Sequence, residues 1–105
     1  MKTTVPGLLA ALGIVALLPT IAAPAFAYTG QKLAHEAQIS IAQARRTALK
    51  AHPGRITDEE LEREAGGSGL RYSFDIKRGQ FTQEVGVDAA TGRVLENKAE
   101  GPNPD

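Results

Sequence analysis

The chain has no cysteine and no tryptophan, and its one methionine is Met1. Without cysteine it has no disulfide, no thiolate nucleophile and no lipid-modified cysteine anchor. Histidine is scarce too: only His35 and His52 occur, and a zinc site needs three or four ligands. No sign of charge dominates, with 12 Lys and Arg against 12 Asp and Glu. That balance gives no electrostatic reason to bind nucleic acid or anionic lipid. Three Phe and two Tyr are the whole aromatic inventory, so the core is small.

What is present begins with an address. Lys2 is a minimal positive n-region, an uncharged apolar stretch runs from Val5 to Leu18, and Pro19 breaks it. Ala25-Phe26-Ala27 then supplies the small-x-small pattern read by signal peptidase, which predicts cleavage after Ala27. A retained membrane span is the rival reading on length; Pro19, Pro24 and the alanine pattern argue against it. Cleavage leaves 78 residues carrying 11 Lys and Arg against 12 Asp and Glu, because Lys2 is the only charge lost. The expected location is periplasmic or secreted, with no stable membrane insertion after cleavage. A single-core domain of this size rarely holds more than ~3–5 kcal/mol of stability, and here packing alone must supply it.

Residues 28–38 are mostly polar and read as a flexible lead-in. Ser40, followed by Gln43, forms a capping box. From there Ile41, Ala44, Ala48 and Ala51 line one helical stripe with Leu49 on its flank, until Pro53-Gly54 stops the helix. The run Asp58-Glu-Glu-Leu-Glu-Arg-Glu64 has helical propensity. Its position between Pro53-Gly54 and Gly66-Gly-Ser-Gly69 favours a strand, with Leu61 and Arg63 on one face and Glu60, Glu62 and Glu64 on the other. Charge on an edge strand resists sheet-to-sheet aggregation, so these three glutamates are the candidate interaction edge.

The clearest pattern follows. Leu70, Tyr72, Phe74 and Ile76 alternate with Arg71, Ser73, Asp75 and Lys77, and Lys77-Arg78-Gly79-Gln80 reads as the turn. Phe81, Val85 and Val87 then share a face. Asp88-Ala-Ala-Thr-Gly92 is the next corner, where Asp88 accepts from a backbone N–H two residues on and Gly92 takes a left-handed conformation. Val94-Leu95 starts a short last strand, and residues 98–105 read as a disordered tail. The expected fold class is α+β: one amphipathic helix on a three- to four-stranded antiparallel meander, in two layers.

Taken in order, Ile39-Ser-Ile-Ala-Gln-Ala44, Ala48-Leu49, Pro53-Gly54-Arg-Ile56, the Tyr72/Phe74/Ile76 strand and Val85-Gly-Val-Asp88-Ala-Ala-Thr-Gly92-Arg-Val-Leu95 resemble the PepSY domain. The resemblance covers about residues 37–97, with the domain itself placed at 39–97. That family takes its name from propeptides of thermolysin-like proteases and a spore-germination protein. The resemblance implies a non-catalytic module outside the cytoplasm, proposed to restrain proteases, and the expectation is a small stand-alone member.

The residues themselves offer little catalysis. Ser40 is a cap, Ser68 falls in a glycine loop read as mobile, and Ser73 has no base in view; no Gly-x-Ser-x-Gly elbow occurs. The acidic run lacks the glycine and alternating ligands of a calcium loop. Asp75 and Asp88 lie on strands that could neighbour each other, but paired carboxylates need a cleft. Tyr72, Phe74 and Phe81 read as core. No enzyme activity, cofactor or metal is expected. The leading expectation is a protein-interaction module, its partner an extracytoplasmic protein such as a protease, engaged by sheet edge or face. The alternatives are a periplasmic small-ligand or metal sensor, and a domain stable only as a homodimer.

Overall fold

The computed structural model describes residues 27–101. Residues 1–26 of the proposed signal segment, Ala25 included, and residues 102–105 of the proposed tail lie outside these residues, while Ala27 is the first described residue. Among the described residues the one α-helix, α1 (Ile41–Ala51), is followed by β1 (Arg55–Arg63), β2 (Leu70–Arg78), β3 (Phe81–Asp88) and β4 (Val94–Gly101). The strands pair antiparallel in chain order, β1-β2-β3-β4, so the sheet is a plain meander with β1 and β4 at its edges. The fold is therefore α+β: one main helix on a four-stranded antiparallel sheet.

Helix α1 starts where its orphan N–H groups find partners. Ser40 Oγ accepts from Gln43 N at 3.1 Å, and Gln43 Oε1 accepts from Ser40 N at 3.0 Å. At the far end the His52 N–H donates to Ala48 O before Pro53 and Gly54 turn the chain into β1. Ala44 and Ala48 are fully buried, and their small side chains let the helix backbone lie close to the sheet. Ala51, placed on the same stripe by spacing, is exposed because the helix ends there. Beneath the helix lie Leu61, Tyr72, Phe74, Ile76, Val85 and Val87, each at most 1 % exposed. Burying each such side chain contributes about 1.5–3 kcal/mol. Tyr72 also donates its hydroxyl to Ile39 O at 2.9 Å, tying the helix entry to the sheet.

Three features differ from the pattern-based reading. Residues 31–36 are not a loose lead-in but a short 3₁₀ helix, Gln31–Glu36. Leu33 and Tyr28 pack against the core, and Glu36 pairs with Arg63 at 2.6 Å. Gly30 makes this possible: its φ is 83°, and a Cβ there would sit 1.8 Å from Leu61 O. The second difference is β4, which runs on to Gly101 instead of stopping early, so residues 98–101 are strand and not tail. The third is Phe81, which lies 60 % exposed at the hairpin tip, opposite Arg78 and outside the core cluster.

Candidate functional site

Alternation divides the sheet into two faces of opposite character. One carries the core and the helix. No element among the described residues packs on the other, the open face. Cross-strand register places its side chains in rows. Asp58, Asp75, Glu84 and Lys98 form one row, Glu60, Ser73, Gly86 and Glu96 the next, and Glu62, Arg71 and Asp88 the third.

The third row is a structural clamp. Arg71 is 7 % exposed and lies across Gly86, where a Cβ would come within 2.9 Å of Arg71 Cδ. Its guanidinium reaches Glu96 at 3.3 Å, Glu64 at 3.5 Å and Ala65 O at 3.2 Å, leaving only Nε without a partner. Beside it, Asp88 is 2 % exposed and ties two loops together. It accepts from Ser68 Oγ, from Thr91 Oγ1 at 2.8 Å and from the N–H groups of Ser68 and Ala90. Burial opposes its charge, but these hydrogen bonds outweigh burial and hold its pKa below the ordinary value. Ser68, read from sequence as mobile, is thus anchored by Asp88.

The first row is unlike this. One carboxylate oxygen each from Asp75, Glu84 and Glu100 lie within 4.8 Å of one another. Register explains it: Asp75 faces Glu84 directly, and Glu100 joins them at the irregular end of the β3–β4 ladder. The hydrogen bond with Glu100, burial and the charges of Glu96 and Glu100 push Glu84 up to about 7, against the pull of Lys98. Burial, then Asp58 and Glu84, raise Asp75; burial, then Glu62, Asp58, Asp75 and Glu84, raise Glu60. Lys98 is the one cation in this row, and Arg55 and Lys77 lie in the row beyond it. Such carboxylates hold a proton between them, or attract a cationic group or a hard cation that takes its other ligands from water.

The sequence-selected residues scatter differently. Glu60 and Glu62 lie on the open face of β1, Glu62 accepts from Ser73 Oγ at 2.8 Å, and Glu64 lies just past the strand in the Arg71 clamp. Asp75 and Asp88 do lie on neighbouring strands, β2 and β3, but Asp88 pairs with Arg71, four positions from Asp75 along β2. His35 bonds to Lys32 O and stands beside Glu36, remote from the carboxylate cluster in the chain. Ser40, Ser68 and Ser73, the three serines, have Gln43, Asp88 and Glu62 as side-chain partners. Gly92, with φ 82°, donates its N–H to Asp88 O and closes the β3–β4 corner.

Beside the open face runs the outer edge of β1. Its later part is covered: Thr29 forms a parallel bridge with Glu60, and Leu61 N donates to Thr29 O at 2.8 Å. Upstream, a groove of about 780 Å³ follows the edge, lined by Ala27, Tyr28, Thr29, Arg45 and residues 56–59. Arg45 of α1 is fixed there by a two-point pair with Glu59.

A helix and meander in this order match the family model PepSY, described as peptidase propeptide and YPEB domain, over residues 38–98. That is more than half of the chain. The chain belongs to the PepSY family. No curated protein and no solved structure matches it. PepSY domains are in general non-catalytic and typically extracellular or periplasmic, and they are linked to protease propeptide or inhibitor roles. No helix among the described residues is long and apolar enough to cross a membrane.

Proposed function

We propose that this PepSY domain is a non-catalytic, extracytoplasmic protein-interaction module that restrains a protease by docking through its open face and the adjoining edge of β1. The observation that carries this reading is the open face itself. It is unpartnered among the described residues, rich in carboxylates and bordered by an edge strand with free main-chain groups. Those are the ingredients of strand addition and of charge-steered recognition. Family membership supports the setting and the protease link, and the commitment of all three serines to structural partners supports the absence of catalysis.

The test is charge reversal at Glu60 and Glu62, with Glu64 as a third position, read by capture of envelope or secreted proteins on the purified domain. Docking by this surface predicts that a captured protease is lost from the reversed variants while their melting remains cooperative. Undiminished capture would count against it. A thermal shift produced by a divalent cation, abolished by Asp75→Asn, would favour the metal-sensing reading instead.

A further inference from the structure

Charge is sorted along the strands as well as between the faces. The end of the sheet where the β2–β3 hairpin turns collects cations from α1, β1 and β2. Lys77 and Arg78 close β2, Arg55 opens β1 in register with Lys77, and Lys50 stands in the last turn of α1. The turn from α1 into β1 rests on this end, since a Cβ at Gly54 would lie 2.7 Å from Ile76 Cγ2 and from Lys77 O. Lys50, Arg55, Lys77 and Arg78 are all exposed, and none forms an ion pair among the described residues. Beside them stands Phe81, paired with Arg78 and 60 % exposed. Gly79 turns the tip with φ 66°, and a Cβ there would meet nothing within 4 Å, so the tip projects into solvent.

We infer that this hairpin tip makes a peripheral contact with an anionic phospholipid surface. Phe81 enters the headgroup region, and Lys50, Arg55, Lys77 and Arg78 face the lipid phosphates. A bilayer interface takes an aromatic ring as an apolar anchor and attracts diffuse positive charge around it, without a shaped pocket. The tip offers a protein partner much less. β2 and β3 are inner strands, so no free edge is present there, and the groove beside β1 does not reach residues 77–81. The acids of the neighbouring row, Asp58, Asp75 and Glu84, are set back by two residues, about 7 Å along the strands. That is close to the screening length of ~8 Å at physiological salt. The surface that attracts the tip repels these acids, which holds the molecule tip-first. One ring and a few charges give a reversible contact, not a membrane span. The contact is independent of the docking surface above, which it leaves free.

The chain has no tryptophan, so Phe81→Trp places a fluorophore at the tip alone. The purified protein is titrated with vesicles of phosphatidylglycerol and phosphatidylethanolamine, and separately with vesicles of phosphatidylcholine. The expected result is a blue shift of emission with the anionic vesicles and none with the neutral ones. A second reporter, Ala42→Trp on the exposed side of α1, stays unshifted. Adding Lys77→Gln and Arg78→Gln to the tip reporter weakens binding about 25-fold, or about fivefold for each charge. Phe81→Ser lowers the excess cosedimentation with anionic over neutral vesicles by about tenfold. Its melting remains cooperative, because Phe81 lies outside the core cluster. Adsorption through the apolar residues 5–18 would be common to both lipids and cancels in that difference. No shift at residue 81, the same shift with neutral vesicles, or an equal shift at residue 42 would overturn the inference. So would anionic binding unchanged by Phe81→Ser, or capture of an acidic protein through the tip with no response to vesicles.

Discussion

Two buried or half-buried carboxylates titrate in opposite directions, and each sets its own pH window. Asp88 has a depressed folded pKa, so its contribution is complete above the unfolded value and disappears as pH falls through the folded one. Replacing it with alanine removes the acceptor shared by Ser68, Ala90 and Thr91. The expected loss at neutral pH is about 2–3 kcal/mol, as for buried hydrogen bonds to a charge, measured by urea unfolding. Glu84 is the reverse case. Its folded pKa is about 7 against an ordinary 4.5, so the folded state holds a proton that the unfolded state has released. Stability is therefore highest below 4.5, declines as pH rises toward 7, and stays low beyond it. Glu84→Gln keeps the neutral form at every pH. It is expected to flatten that decline, with a higher urea midpoint than the parent at alkaline pH and little change at acid pH. An unchanged slope in the variant would place the titration elsewhere.

At the scale of elements, the fold shows why local patterns carried the reading in some places and not in others. β2 is legible because Leu70, Tyr72, Phe74 and Ile76 alternate without interruption and all go under the helix. β1 is legible despite its helical composition because Leu61 is the one apolar residue between Thr57 and Arg63, and alternation alone places it inward. The carboxylate cluster was hidden by a turn. With Lys77–Gln80 as a four-residue turn, Asp75 would face Thr82; the observed turn is Gly79–Gln80 alone, which brings Arg78 opposite Phe81 and Asp75 opposite Glu84. A shift of two keeps every residue on its face and changes every neighbour. Glu100 was hidden for another reason: Asn97-Lys-Ala-Glu-Gly101 has weak strand propensity, and its strand form comes from pairing with β3. The helix-to-sheet join gives a prediction at this scale. Tyr72→Phe deletes the hydrogen bond to Ile39 O while keeping the ring, and is expected to cost about 1 kcal/mol without loss of cooperativity, read from the urea midpoint.

For the whole molecule the informative quantity is not net charge, which is zero for the full sequence, but where the charges lie. Helix α1 contributes Arg45, Arg46 and Lys50 on its side of the sheet, while on the open face Asp58, Glu60, Glu62, Asp75, Glu84, Glu96 and Glu100 outnumber Arg55, Arg71, Lys77 and Lys98. Composition cannot reveal such segregation; register can. It gives the molecule a sided field that orients an approaching cationic surface and weakens as salt is added. The central claim is that partners dock on the acidic side and not on the helix. Site-specific photocrosslinking in cells tests it most directly, with the reactive group at Asp58 or Glu60 on the open face and at Ala42 or Arg46 on the helix. The account predicts crosslinks to another protein from Asp58 and Glu60 and none from the helix positions. Crosslinks from Ala42 and Arg46 alone, or equally from both sides, would contradict it.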